Sequence, residues 1–184
     1  MPTDTVPPKP VRDACKALPR PELIRRFEGG ANILNPKVLE LADEALDTFF
    51  TPEAGVGLWS PRALVGHLAD SELVLGHRMR RVVAEDRPVF ALWDENAFVD
   101  RGLYSRPDSP TKPRVAGHIA LIHTNRLWLA EWLRTVPEAD WARQGMHPER
   151  GPMSLHDIVA IATWHVEYHG WFLDRKIERL ASAH

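Results

Sequence analysis

Nine histidines accompany a single cysteine in this chain, so metal binding and proton transfer by imidazole are the chemistries to look for first. Position on a helix face decides which histidines matter. In the last apolar-periodic segment, Ile158, Ala162, Phe172 and Leu173 share one face at about 100° per residue, and His165 and His169 fall in its middle. Four residues is just over one turn, so the two rings stack on the same side, as chelation of one ion requires. The plain alternative for an isolated His-x-x-x-His is a pair of core histidines satisfied by ordinary hydrogen bonds. A third histidine separates the two. Leu64, Leu68, Ser71, Leu75 and Val82 mark the apolar stripe of an earlier helix, and His67 sits on the edge of that stripe. Three imidazoles facing one another would leave a tetrahedral position open, the arrangement of a catalytic site.

Glu167 lies between His165 and His169, but one residue later than the glutamate of a His-Glu-x-x-His protease motif. It is expected on the opposite, solvent side as a surface charge. His118 and His123 are five apart and share no face, and His77, His156 and His184 have no partner at ligand spacing. His147, in the loop His147-Pro148-Glu149-Arg150-Gly151, leads into the histidine-bearing helix and is a candidate supporting group or general base, with a surface-loop role as the plain alternative. Trp59 and Trp93 stand at element edges where an amphipathic ring can line a cleft, whereas Trp128, Trp132 and Trp164 read as helix-packing residues. Arg78 lies on the inward stripe three turns beyond His67, roughly 16 Å along the axis. It is a candidate anchor for an anionic ligand tail, with a buried ion pair as the simpler expectation.

The elements that must position these groups are helical. Apolar residues recur at helical spacing, and alternating Val/Ile/Thr runs are missing, so few or no strands are expected. One helix begins near Pro21 and is interrupted by Gly29, Gly30 and Pro36. A second opens with Ser60 as cap and Pro61 at the first position, and runs to about Glu85. A third covers about Lys112 to Thr135, its stripe broken only by Arg126, and stops at Pro137. The fourth opens with Ser154 and Asp157, a variant of the capping box, and continues to about Leu180. The long connection from Asp86 to Thr111 carries Trp93, Asp94 and Glu95. The fold class is therefore all-α, a four-helix bundle with a long connection between helices 2 and 3.

Six of 16 prolines fall at or before Pro21, so residues 1 to about 19 are expected as a flexible arm making few contacts, with Cys15 unpacked, and 20–184 as one domain. Hydrophobic residues make up 44% and charged residues 26% of the 184 residues, the balance of a globular domain. Lys and Arg total 23 against 25 Asp and Glu, with no basic surplus for a phosphate backbone, so nucleic acid is excluded as the main ligand. No run of apolar residues is long enough to span a membrane, and the proline-rich start lacks the apolar core of a signal peptide. With one cysteine, a cytoplasmic location is expected.

Taken together, Trp59-Ser60, Leu64-Val65-Gly66-His67-Leu68-Ala69-Asp70-Ser71-Glu72, Asp94-Glu95, His147-Pro148-Glu149 with Gly151, and Trp164-His165 with His169 resemble the DinB-like superfamily, in particular its YfiT-like branch of metal-dependent hydrolases and thiol S-transferases. The resemblance spans about Arg20 to Leu180. It implies an up-down-down-up bundle, often a homodimer, and a divalent metal, zinc or nickel, held by His67, His165 and His169. It implies in turn transfer of a small-molecule thiol to an electrophile; His147, Glu149 or Glu72 are the candidates to assist proton transfer, and Trp59, Trp93, Asp94, Glu95 and Arg78 the candidates to touch substrate. Metal-dependent hydrolysis at the same site is the alternative, and a non-enzymatic metal-binding scaffold the rival from another class.

Overall fold

The computed structural model describes residues 7–106, 108 and 112–182. Seven α-helices are found among them: α1 (Arg12–Lys16), α2 (Arg20–Glu28), α3 (Asp43–Leu46), α4 (Pro61–Ala84), α5 (Glu95–Asp100), α6 (Val115–Thr135) and α7 (Leu155–Ala181). Two short strands, β1 (Gln144–His147) and β2 (Gly151–Ser154), pair antiparallel. The long helices begin where local chemistry tells them to. Ser60 Oγ accepts the Ala63 amide at 3.2 Å, with Pro61 at the first helical position of α4. At α7, Ser154 Oγ accepts the Asp157 amide while the Asp157 carboxylate accepts the Ser154 amide, both at 3.0 Å.

Helices α2, α4, α6 and α7 form a four-helix bundle in which α4 and α2 each pack against both α6 and α7. Two apolar clusters fill it. One holds Leu23, Phe27, Leu75, Met79, Leu129, Leu133 and Ile158; the other holds Leu64, Leu68, Ile122, Val166 and Leu173. Between them along the helices lies a buried ion pair. The Arg126 guanidinium is fully enclosed, donating to Glu72 Oε1 at 2.6 and 2.9 Å, to the Phe27 carbonyl at 2.7 Å and to the Ala162 carbonyl at 2.6 Å. Arg126 thus ties all four bundle helices together, which explains the break it makes in the α6 stripe. Gly30 is what lets it reach that position, since a Cβ there would stand 2.0 Å from Arg126 Nη1.

The chain start departs from expectation. Residues 1–6 lie outside the described residues, but 7–19, though largely exposed, dock on the bundle, with α1 lying against α7 and Cys15 wholly buried. The Trp171 and Trp164 indoles donate to the carbonyls of Pro7 (2.9 Å) and Pro10 (3.0 Å), and Lys16 pairs with Asp157 at 2.8 Å. Proline withholds an amide donor but keeps its carbonyl, so a proline-rich segment can serve as an acceptor rail for indole N–H groups. The tryptophan reading is also corrected in part: Trp128 is half exposed, and the Arg80 guanidinium stacks over it and over Trp132 at 5.0 and 4.9 Å.

The connection from α4 to α6 is long, as expected; it is tied to other elements at Phe90 and Tyr104 and organised within itself at Asp94. Phe90 is buried and its amide donates to the Met146 carbonyl of β1 at 2.9 Å. Asp94 Oδ1 caps α5, accepting from Asn96 and Ala97 at 3.1 Å, and Tyr104 Oη donates to Asp70 at 2.5 Å. The hairpin turns at Gly151, whose φ of +74° is a conformation that side chains disfavour. Connection and hairpin together cover one flank of α4 and α7. No described helix is long and apolar enough to cross a membrane.

Candidate metal centre

His67 comes from α4, and His165 and His169 from successive turns of α7. One ring nitrogen from each lies within 4.8 Å of the other two. His67 Nε2 and His165 Nε2 are 3.1 Å apart. Two nitrogens bound at 2.0–2.1 Å to one tetrahedral ion stand about 3.3 Å apart, so the donor set and its spacing fit a divalent metal. The rings are oriented by aromatic neighbours. Trp93 stacks on His67 at 5.3 Å and 10°, Trp59 tilts against it at 4.7 Å, and Trp59 lies parallel to His169 at 6.3 Å. The Nδ1 atoms of all three histidines are buried with no hydrogen-bond partner among the described residues.

Burial also sets their charge. It lowers the pKa of His67 to about 4 and, with the neighbouring charges of His67 and Lys176, that of His169 to about 3. His165 is held well below the ordinary value, first by burial and then by His169 and His67. All three are therefore neutral at pH 7, the form that offers a lone pair to a metal.

A cleft of about 480 Å³ opens on this triad from the side of the connection and the hairpin. His67 and His165 form its floor, and Trp93, Asp94, Glu95, His147, Glu149 and Arg78 contribute to its walls. His147 is buried at the end of β1, and its Nδ1 accepts the Glu149 amide at 3.2 Å. That bond leaves the ring proton on Nε2. Burial and the Arg78 and Arg150 guanidiniums hold its pKa below the usual range, against Glu149.

A family model described as the DinB superfamily matches residues 12–173. The chain belongs to the DinB superfamily. Among relatives, an Oceanobacillus iheyensis protein provisionally named a metal-dependent hydrolase is 28% identical over 148 residues, 80% of each chain. A Bacillus licheniformis protein named in the same way is 30% identical over 140 residues, 75% of this chain and 73% of that one. The solved structure of YfiT from Bacillus subtilis, described with an unusual four-helix bundle topology, superposes with a TM-score of 0.74 at 24% identity. It covers 88% of this chain and 87% of that one, and shows the fold.

Within this DinB bundle, several residues singled out from the sequence take other places. Glu72 does not line the cleft; its carboxylate accepts from Arg126, and a Glu free to move protons cannot also neutralise a wholly buried guanidinium. Glu167 is not a surface charge. It is buried, pairs with Arg26 through both oxygens and accepts from Cys15 Sγ at 3.7 Å, because α1 and α2 cover the face expected to meet solvent. Arg78 forms no ion pair among the described residues; its Nη2 donates to the Ala91 carbonyl at 2.8 Å. The buried Nε2 of His118 has no hydrogen-bond partner among the described residues. His184 lies outside the described residues.

Trp59 borders a second hollow of about 310 Å³, with His169, Tyr168, Phe172 and Lys176, on another side of the triad. Lys176 is buried, donating to the Gly57 carbonyl at 2.8 Å, and burial lowers its pKa to about 8. Arg150, Leu92 and Trp164 also line the main cleft; the sequence pattern assigns Trp164 to helix packing and gives the other two no role. Arg150 and Trp164 adjoin Glu149 and His165 in sequence, and that adjacency was the available signal.

Proposed function

We propose that this chain is a metal-dependent enzyme acting on small molecules, and that its reaction is transfer of a low-molecular-weight thiol to an electrophile. The observation that carries the reading is a three-imidazole cluster, free of carboxylates among the described residues, with a 480 Å³ cleft opening on it. When bound there, a divalent ion such as zinc or nickel would act as a Lewis acid favouring the deprotonated form of a thiol or of water. His67, His165 and His169 would hold it, their neutrality leaving its charge undiminished at the open side.

The surrounding residues favour a thiol. Trp93, Trp164 and Ile161 give the floor of the cleft an apolar wall suited to sulfur. A free thiol, with a pKa near 8.5, needs far less help to lose its proton than water at 15.7. That matches a site where the two glutamates nearest the triad in sequence, Glu167 and Glu72, are committed to Arg26 and Arg126. His147, carrying its proton on Nε2, lines the cleft with Glu149 as its neighbour, and can pass a proton to or from a molecule bound there.

Hydrolysis at the same centre is a second reading, favoured by the names given to the relatives. The two separate in one experiment on chain loaded with zinc or nickel. Glutathione or cysteine is incubated with an aryl halide or epoxide, and in parallel aryl esters are offered without thiol. Metal-dependent thiol consumption lost in His169→Ala supports transfer. Ester cleavage indifferent to thiol supports hydrolysis, and neither activity overturns both.

A further inference from the structure

Arg78 is left with unmet capacity in a place where that is expensive. Its side chain is 9% exposed, yet no described carboxylate pairs with it, and a buried charge without a counter-charge is normally avoided. One N–H of its guanidinium is held by the Ala91 carbonyl and its plane lies 5.4 Å from the Phe90 ring centre, which fixes the fork in position. Arg150, exposed on the hairpin turn and likewise without an ion-pair partner among the described residues, is close enough to depress the Arg78 pKa after burial has done so. His147, with its proton on Nε2, lines the same cleft.

We infer that Arg78 and Arg150 form the binding site for a carboxylate on the far end of the ligand whose near end meets the three histidines. This deepens the reading above and rests on it for the histidine end alone. The walls argue for a singly charged group: Asp94, Glu95 and Glu149 also line the cleft, so a dianionic phosphate would meet three negative charges on its way to two positive ones. A planar guanidinium held by its neighbours suits the two oxygens of a carboxylate.

The structure also sets the span. Arg78 holds Ala91, and Trp93, two residues further on, stacks against His67. Arg78 also stands eleven residues beyond His67 on α4, about 16 Å along the axis, so the guanidinium and the histidine floor are on the order of 10–15 Å apart within the one cleft. The ligand is then a carboxylic acid whose metal-seeking atom is several bonds from its carboxyl group, within a volume for a small peptide-like or short-chain molecule.

The probes are 6-mercaptohexanoate and 6-mercaptohexanol, which differ only in the terminal charge. They are titrated into cobalt-loaded chain and followed by the thiolate-to-cobalt absorption band. The acid should bind about tenfold more tightly than the alcohol, the margin of a charge-assisted hydrogen-bond pair. Arg78→Met should remove that preference while leaving the alcohol's affinity in place, and Arg78→Lys should restore part of it. Should Arg78→Met fail to fold, Arg150→Gln on the exposed turn serves in its place and should reduce the preference. Equal affinity for acid and alcohol in the unmodified chain, or a preference untouched by these substitutions, overturns the inference. A separate titration of the unmodified chain with hexanoate, which has no thiol, reads the Arg78 Nε–H resonance by NMR. If hexanoate shifts that resonance while neither thiol gives a cobalt band, the carboxylate site stands and the thiol reading falls.

Discussion

Replacing Glu72 by Gln tests whether this carboxylate belongs to the chemistry or to the fold. Arg126 is wholly buried and spends two of its four hydrogen bonds on Glu72 Oε1, which is itself 2% exposed. Burial pushes the Glu72 carboxyl up in pKa and the Arg126 guanidinium pulls it back down. An amide keeps the shape and an accepting oxygen but deletes the counter-charge, leaving a buried cation surrounded by neutral acceptors, among them the Phe27 and Ala162 carbonyls. Breaking a buried pair from one side costs about 3–5 kcal/mol, roughly a fifth or more of the stability of an ordinary domain. For a chain of this size that corresponds to roughly 6–20 °C in melting temperature.

Urea unfolding followed by circular dichroism reads the loss, and metal content is measured on the folded fraction. Glu72→Gln should lower stability and leave metal bound per folded molecule unchanged. The double variant Glu72→Met with Arg126→Met removes both charges and should be more stable than Glu72→Gln alone, because no unpaired cation remains. The reasoning is refuted if Glu72→Gln unfolds within about 1 kcal/mol of the parent while its turnover collapses. That result would make Glu72 a proton carrier.

His169→Ala should abolish metal binding and activity together, whereas His147→Ala should spare the metal and lower only the rate; loss of metal in both, read by elemental analysis, would make His147 a fourth ligand and the site a closed one. A deletion starting the chain at Arg20 should cost about 3 kcal/mol, from two indole hydrogen bonds and the burial of Cys15, and an unchanged melting temperature would show that the docked segment contributes nothing. Lys176→Met tests the buried amine: between pH 8 and 10.5 the folded chain has released a proton that the unfolded chain keeps, so the stability of the parent relative to the variant should rise with pH across that window. A flat difference would place the amine in water.

Helix boundaries and the triad were legible because both rest on local rules. Caps at Ser60 and Ser154 act within one turn, and the spacing of His165 and His169 is set by the helix itself. His67 was readable from the edge of its stripe, since α4 packs on α7 and brings the two faces together. The docked chain start was not legible. Proline content describes which hydrogen bonds a segment cannot donate, while the bonds that hold it are donated by Trp164 and Trp171, more than 150 residues away. The same distance hid Glu167, whose outward face becomes an inward one only once α1 and α2 lie over it.

Burial alone does not separate structural from functional polar groups in this bundle, but the balance of partners does. Arg126 and Glu72 are as buried as any residue in the chain, and their hydrogen-bonding capacity is met by α2, α4, α6 and α7. Arg62 is the same case near the other end of α4, with Asp43, Asp47 and the Pro113 carbonyl around it. By contrast, among the described residues the Nδ1 atoms of His67, His165 and His169 and the Trp93 indole N–H are buried without a partner, and Arg78 has no counter-charge. Each such group costs free energy that the apo fold does not recover. His67, His165, Trp93 and Arg78 line the main cleft and His169 the hollow beside it, so a ligand spanning the cleft would engage a metal on the triad and the Arg78 guanidinium together. Binding should therefore stabilise the chain: a metal alone raises the melting temperature through the triad, and a carboxylated thiol raises it further through Arg78.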